Sequence, residues 1–65
     1  MEENYRLVYS TNKNYQAIII RNLLADNDIE SKLINKKDSL FPVGDVEVYV
    51  NKEDEKKAKS IIKEF

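Results

Sequence analysis

Lys36 and Lys37 stand side by side a few residues before Leu40-Phe41-Pro42, and these residue types suggest recognition chemistry. A pair of ammonium groups can meet an anionic ligand, and an apolar cluster on a loop can dock against another protein. Each also has a plainer reading: a solvated lysine pair, and a Leu40-Phe41 cluster folded back over the end of the core. The segment that carries them, 35–44, is long for a connection between neighbouring strands, where about two to five residues suffice. Binding residues favour loops held on a rigid scaffold. Leu40, Phe41, Lys36 and Lys37 are therefore candidate interaction residues, together with Tyr49, which the strand pattern below turns outward.

Catalysis finds little to work with. The chain has no histidine and no cysteine, which removes the usual general base, the thiol nucleophile, disulfides and the commonest zinc ligands. Ser10, Ser31, Ser39 and Ser60 do not sit in a nucleophile-elbow context. Gly44 is the single glycine and cannot build a phosphate-cradling loop. Asp26-Asn27-Asp28-Ile29-Glu30 looks like the opening of a calcium loop, but the turn glycine is missing and Lys37 occupies the place of the bidentate glutamate. The expectation is a chain that is not an enzyme, with no metal site and no cofactor.

A length of 65 residues leaves room for one domain, 1–65. So small a core supplies roughly 3–5 kcal/mol unless something staples it. Without cysteine, the remaining means are close helix-on-sheet packing or association into a homo-oligomer. Eleven basic and twelve acidic side chains leave a formal net charge of −1, too balanced to attract nucleic acid or anionic lipid. No stretch approaches the roughly 20 apolar residues of a membrane span. Residues 1–6 lack the basic-then-apolar pattern of a leader, so a cytoplasmic location is expected. Charged residues make up 35%, but the 42% that are hydrophobic fall at regular intervals, the mark of a folded domain.

Those intervals define the elements. Tyr5-Arg6-Leu7-Val8-Tyr9-Ser10 reads as a strand with Tyr5, Leu7 and Tyr9 on one face and Arg6, Val8 and Ser10 on the other. Thr11-Asn12 offers N-cap residues for a helix over about 13–26. Its inner face is Ala17, Ile20 and Leu24, widened by Ile19 and Leu23, while Ile18 lies off the stripe. Asn27-Asp28 tolerates the left-handed conformation that ends many helices. A second strand, Ile29 to Ile34, points Ile29, Ser31 and Leu33 inward. Val46-Glu47-Val48-Tyr49-Val50 alternates strictly, valines in, Glu47 and Tyr49 out. Asn51 caps a last helix whose first turn holds Glu53, Asp54 and Glu55, where the dipole favours acids. Ala58, Ile61, Ile62 and Phe65 form its inner stripe, and Glu53-Lys57 and Glu55-Lys59 have the acid-first i,i+4 order.

Three strands and two amphipathic helices in the order β-α-β-β-α make a two-layer α+β sandwich, both helices on one side of the sheet. In a ferredoxin-like arrangement the third strand lies between the first two, antiparallel to both. The open sheet face is then expected to carry Arg6, Val8, Ser10, Glu30, Lys32, Ile34, Glu47 and Tyr49.

Leu7-Val8-Tyr9-Ser10, Ala17 through Leu23-Leu24, and Ile29 resemble the opening of a known family. So does the closing run Val46 to Asp54 with Ala58 and Ile61-Ile62. Together they resemble the small prokaryotic family labelled putative signal-transducing proteins, a domain of unknown function related in fold to the GlnB-type nitrogen regulators. The likeness rests on hydrophobic positions and spans nearly the whole chain. That family usually has glycine before the Ile29 position, where Asp28 stands here. The regulatory loop of GlnB-type proteins also lies between the second and third strands, but none of their nucleotide-binding or modification residues has a counterpart in this chain.

The expected function is a non-catalytic signalling or protein-interaction module with an unknown protein partner. The alternative is a sensor that binds a nucleotide or metabolite near 35–44. A single-stranded nucleic-acid binder would need several stacking aromatics in a positive groove. Only Tyr49 is expected on the open face, so no nucleic-acid partner is expected.

Overall fold

The structure, a computed structural model, describes residues 4–36 and 46–65. Its elements are β1 (Tyr5–Thr11), α1 (Asn14–Ala25), β2 (Ser31–Asn35), β3 (Val46–Asn51), a 3-10 turn (Lys52–Asp54) and α2 (Glu55–Lys63). The sheet order is β1-β3-β2, with β3 antiparallel to both neighbours. This is the ferredoxin-like β-α-β-β-α arrangement that the alternation and helix periods imply.

The strictly alternating strand takes the centre because it has an apolar face to bury and hydrogen-bonding partners on both sides. Val46, Val48 and Val50 are 2%, 0% and 0% exposed and face Ala17, Ile20 and Leu24 of α1 and Ala58 of α2, all fully buried. Both helices thus cover the same side of the sheet. Burying a Val, Leu or Ile side chain contributes about 1.5–3 kcal/mol, so this cluster of eight residues is the chief source of stability.

α1 begins one residue later than the Thr11-Asn12 pair suggests. Lys13 is its N-cap and makes no side-chain cap bond. Thr11 instead ends β1, and its hydroxyl accepts from the Lys13 N–H at 3.1 Å and donates to Gln16 Oε1 at 2.9 Å. The far end closes as the Asn27-Asp28 pair implies. Asp28 has φ 63°, its N–H donates to the Ala25 carbonyl at 3.0 Å, and the Ile29 N–H donates to the Leu24 carbonyl at 2.9 Å. This is a Schellman closure. Its customary apolar contact is supplied by Leu24 and Ile29, 0% and 1% exposed. Asp28 thus makes a turn for which glycine is the commoner choice.

Three expectations need correction. Ile19 is 43% exposed because α1 crosses the sheet on the narrower Ala17-Ile20-Leu24 stripe, leaving Tyr15, Ile18 and Ile19 outside. Phe65 lies beyond the last turn of α2 and is 62% exposed. The third correction concerns the two faces of β1. Leu7 pairs with Tyr49, yet Tyr9 pairs with Val48, so an extra residue, Val8, is inserted into the ladder as a β-bulge. Tyr5 and Leu7 therefore lie on the open face, while Val8 and Tyr9 pack against the core. Strict alternation would have placed Leu7 inside and Val8 outside.

The last helix also does not start on Asn51 as expected: Asn51 ends β3 and makes no side-chain cap bond, Glu53 and Asp54 lie in the 3-10 turn, and α2 begins after Asp54 with Glu55 in its first turn. Lys59 closes on Glu55 at 3.0 Å.

Candidate functional site: the open face of the sheet

Because β3 buries its valines, Glu47 and Tyr49 must point away from the helices. Cross-strand pairing then settles what surrounds them. Leu7 and Ser10 of β1 sit opposite Tyr49 and Glu47, and Lys32 and Ile34 of β2 sit opposite the same two residues from the other side. Tyr5 lies beyond Leu7, opposite Asn51. Leu7 is 42% exposed, and Tyr5, Ile34, Glu47 and Tyr49 are half-buried. Among the described residues the face is thus an apolar strip of Tyr5, Leu7, Ile34 and the Tyr49 ring, interrupted by Glu47 with its cation Lys36, by Lys32 and by Ser10.

Those charges are organised. The Glu47 carboxylate accepts at Oε1 from the Tyr49 hydroxyl at 2.8 Å, and the Lys36 ammonium lies 2.9 Å from the same oxygen. The hydrogen bond from Lys36 holds the Glu47 carboxyl below its usual range, helped by the Tyr49 hydroxyl and the lysine charge and opposed by desolvation. Lys36 is held above its usual range by its hydrogen bond to Glu47 and that residue's charge. Tyr49 is raised by donating to Glu47, and burial and the carboxylate charge act in the same direction. All three groups move away from neutrality, whereas proton transfer near pH 7 needs a group whose pKa is brought toward it. Lys32 takes a different partner: its Nζ lies 4.5 Å from the centre of the Tyr5 ring, a cation–π contact.

Of the residues the sequence singles out, Lys36 and Tyr49 are brought together, joined through Glu47. Leu40, Phe41 and Lys37 lie outside the described residues. Tyr5 and Leu7 belong to the face but are missed by an alternating reading of β1. A signal was present: Leu7-Val8-Tyr9 is three apolar residues in a row, which a regular strand with one buried face cannot place on the same side. Asp26, Asp28 and Glu30 are all exposed, and among the described residues no group of three acidic, histidine or cysteine side chains gathers where a metal could be held. A shallow cleft of about 300 Å³ between the ends of the two helices is lined by Leu23, Asn27, Ile61, Glu64 and Phe65, and it shares no residue with the sheet face. Among the described residues no helix is long and apolar enough to cross a membrane.

No curated protein and no solved structure matches the chain. A family model does match, over residues 5–65, and its description is putative prokaryotic signal transducing protein. The match takes in every strand and helix that builds the open face, and the chain belongs to that family.

Proposed function

We propose that the chain is a non-catalytic protein-interaction module of a cytoplasmic signalling system, with the open sheet face as its contact surface. The observation that carries this reading is the bulge at Val8, which turns Leu7 out of the core and sets it beside Tyr49. Bulges recur where a strand must re-aim a side chain for function, and an apolar strip rimmed by polar groups is the usual form of a docking surface. The pKa directions of Lys36, Glu47 and Tyr49 support a structural role for these charges over acid–base chemistry.

The test pairs two measurements. A photo-crosslinking residue at position 7, introduced in cells, gives discrete protein adducts, and the same probe at the exposed Lys56 of α2 does not. A thermal-shift panel of nucleotides and small carboxylic metabolites stays flat. A bound ligand at about 100 times its Kd adds roughly 2.7 kcal/mol, which in a domain this small moves Tm by more than about 10 °C. A dose-dependent shift of that size would replace this reading with a small-ligand sensor.

A further inference from the structure

We propose that the occupant of the open face is a second copy of this chain, packed sheet to sheet about a two-fold axis. The inference rests on the reading of this face as a contact surface and names its partner.

The dimensions fit. The molecule measures 33 × 25 × 15 Å, a slab of one helix layer on one sheet. The 33 × 25 Å outline is the upper bound on its broad face, and it is of the same order as the roughly 800 Å² per partner of a standard interface. Two sheets pack well when their twists match, and a second copy brings the same twist. Doubling also answers the size problem, since the core among the described residues has eight buried members and the sequence has no cysteine to cross-link it.

Charge favours a second copy over an anionic partner. Glu47 is neutralised within the chain by Lys36 and tied to the Tyr49 hydroxyl, so burial strands no carboxylate. Lys36 is engaged by that contact, and Lys32 already covers the Tyr5 ring at 4.5 Å, so neither the cations nor that ring are free for a nucleic-acid strand. Beside the exposed Ser10 opposite Glu47, what the face offers a partner is apolar: Leu7, Ile34 and the ring of Tyr49. A two-fold axis through this strip sets like against like, as an isologous interface requires. β2 and β3 bring Ile34 and Tyr49 to the strip, and the bulge in β1 adds Leu7.

Sedimentation equilibrium on the full chain over a range of concentrations tests this. The wild-type protein shows twice the 7.6 kDa chain mass. Leu7→Glu raises the dissociation constant at least about 30-fold, as loss of a central anchor does, while its circular dichroism is unchanged. Ile19→Glu, in the exposed apolar group on α1, leaves the dimer intact. Should Leu7→Glu not fold, dilution of the wild-type protein decides the matter by NMR. Methyl and ring signals of Leu7, Ile34 and Tyr49 then shift together while those of Tyr15 and Ile18 stay fixed. A wild-type chain monomeric at millimolar concentration overturns the inference, and so does a dimer disrupted by Ile19→Glu and not by Leu7→Glu. A monomer that still gives crosslinks from position 7 to other proteins overturns the second copy alone. A monomer with no such crosslinks removes the contact reading as well. Shifts of the same signals only on adding a single-stranded oligonucleotide overturn it in favour of a nucleic-acid partner.

Discussion

The Tyr49 hydroxyl donates to Glu47 Oε1 at 2.8 Å, two residues apart on the outward face of the central strand. Lys36 reaches the same oxygen at 2.9 Å from the end of β2. One carboxylate thus ties together two residues whose types alone mark them for recognition, and it makes the fold sensitive to pH on both sides of neutrality.

The directions follow from linkage. Glu47 has its pKa lowered by folding, so its contribution is present above the ordinary glutamate value of about 4.3 and is lost as pH falls through the folded value. Lys36 and Tyr49 have theirs raised. Their contributions are present below the ordinary values of about 10 and are lost as pH rises through the folded ones. The urea midpoint is therefore expected to form a plateau between about pH 5 and 9. Glu47→Gln should remove the difference between plateau and flanks that belongs to this trio. Identical pH profiles for wild type and variant would refute the assignment.

The bulge at Val8 makes neighbouring positions in β1 differ in a way that alternation reverses. In dilute solution, where association plays no part, Leu7→Ala is expected to cost under about 1 kcal/mol, as exposed positions do. Val8→Ala, which removes packing from the core side, is expected to cost about 1–2 kcal/mol. Chemical denaturation of the two variants gives the order. A larger loss at Leu7 would mean that β1 runs without the bulge.

Asp28 has φ 63°, a region that costs most L-residues about 1–2 kcal/mol and glycine nothing. Asp28→Gly is expected to raise stability by a few tenths up to about 1 kcal/mol, read as a higher Tm. Asp28→Val, with its branched Cβ, is expected to lower it by more than about 1 kcal/mol. A destabilised glycine variant would show that the aspartate side chain itself secures the turn.

Ser31 Oγ is buried without a hydrogen-bonding partner, on the side of β2 that pairs with Val50. A buried polar atom left unsatisfied costs about 1–3 kcal/mol. Ser31→Ala is accordingly expected to stabilise the chain by about 1 kcal/mol, a rise of roughly 4–8 °C in Tm for a domain of this size. No change, or a loss, would place a partner for that hydroxyl in solution.

Periodicity by itself determined the element order, the central place of the three valines and the inner stripe Ala17-Ile20-Leu24 with Ala58. Each of these depends on how often an apolar residue recurs, which the chain displays directly. The left-handed turn at Asp28 was equally legible, because few residues tolerate that conformation. Tertiary structure alone decided which side of β1 faces the helices. The choice between burying Leu7 or Val8 is a matter of register, and register is settled by the ladder with β3, not by β1. The exposure of Ile19 has a similar origin, since the width of the buried stripe depends on how closely α1 approaches the sheet. The meeting of Lys36, Glu47 and Tyr49 was likewise decided by pairing. Lys36 and Glu47 are far apart along the chain, and only the antiparallel alignment of β2 with β3 brings the cation to the carboxylate.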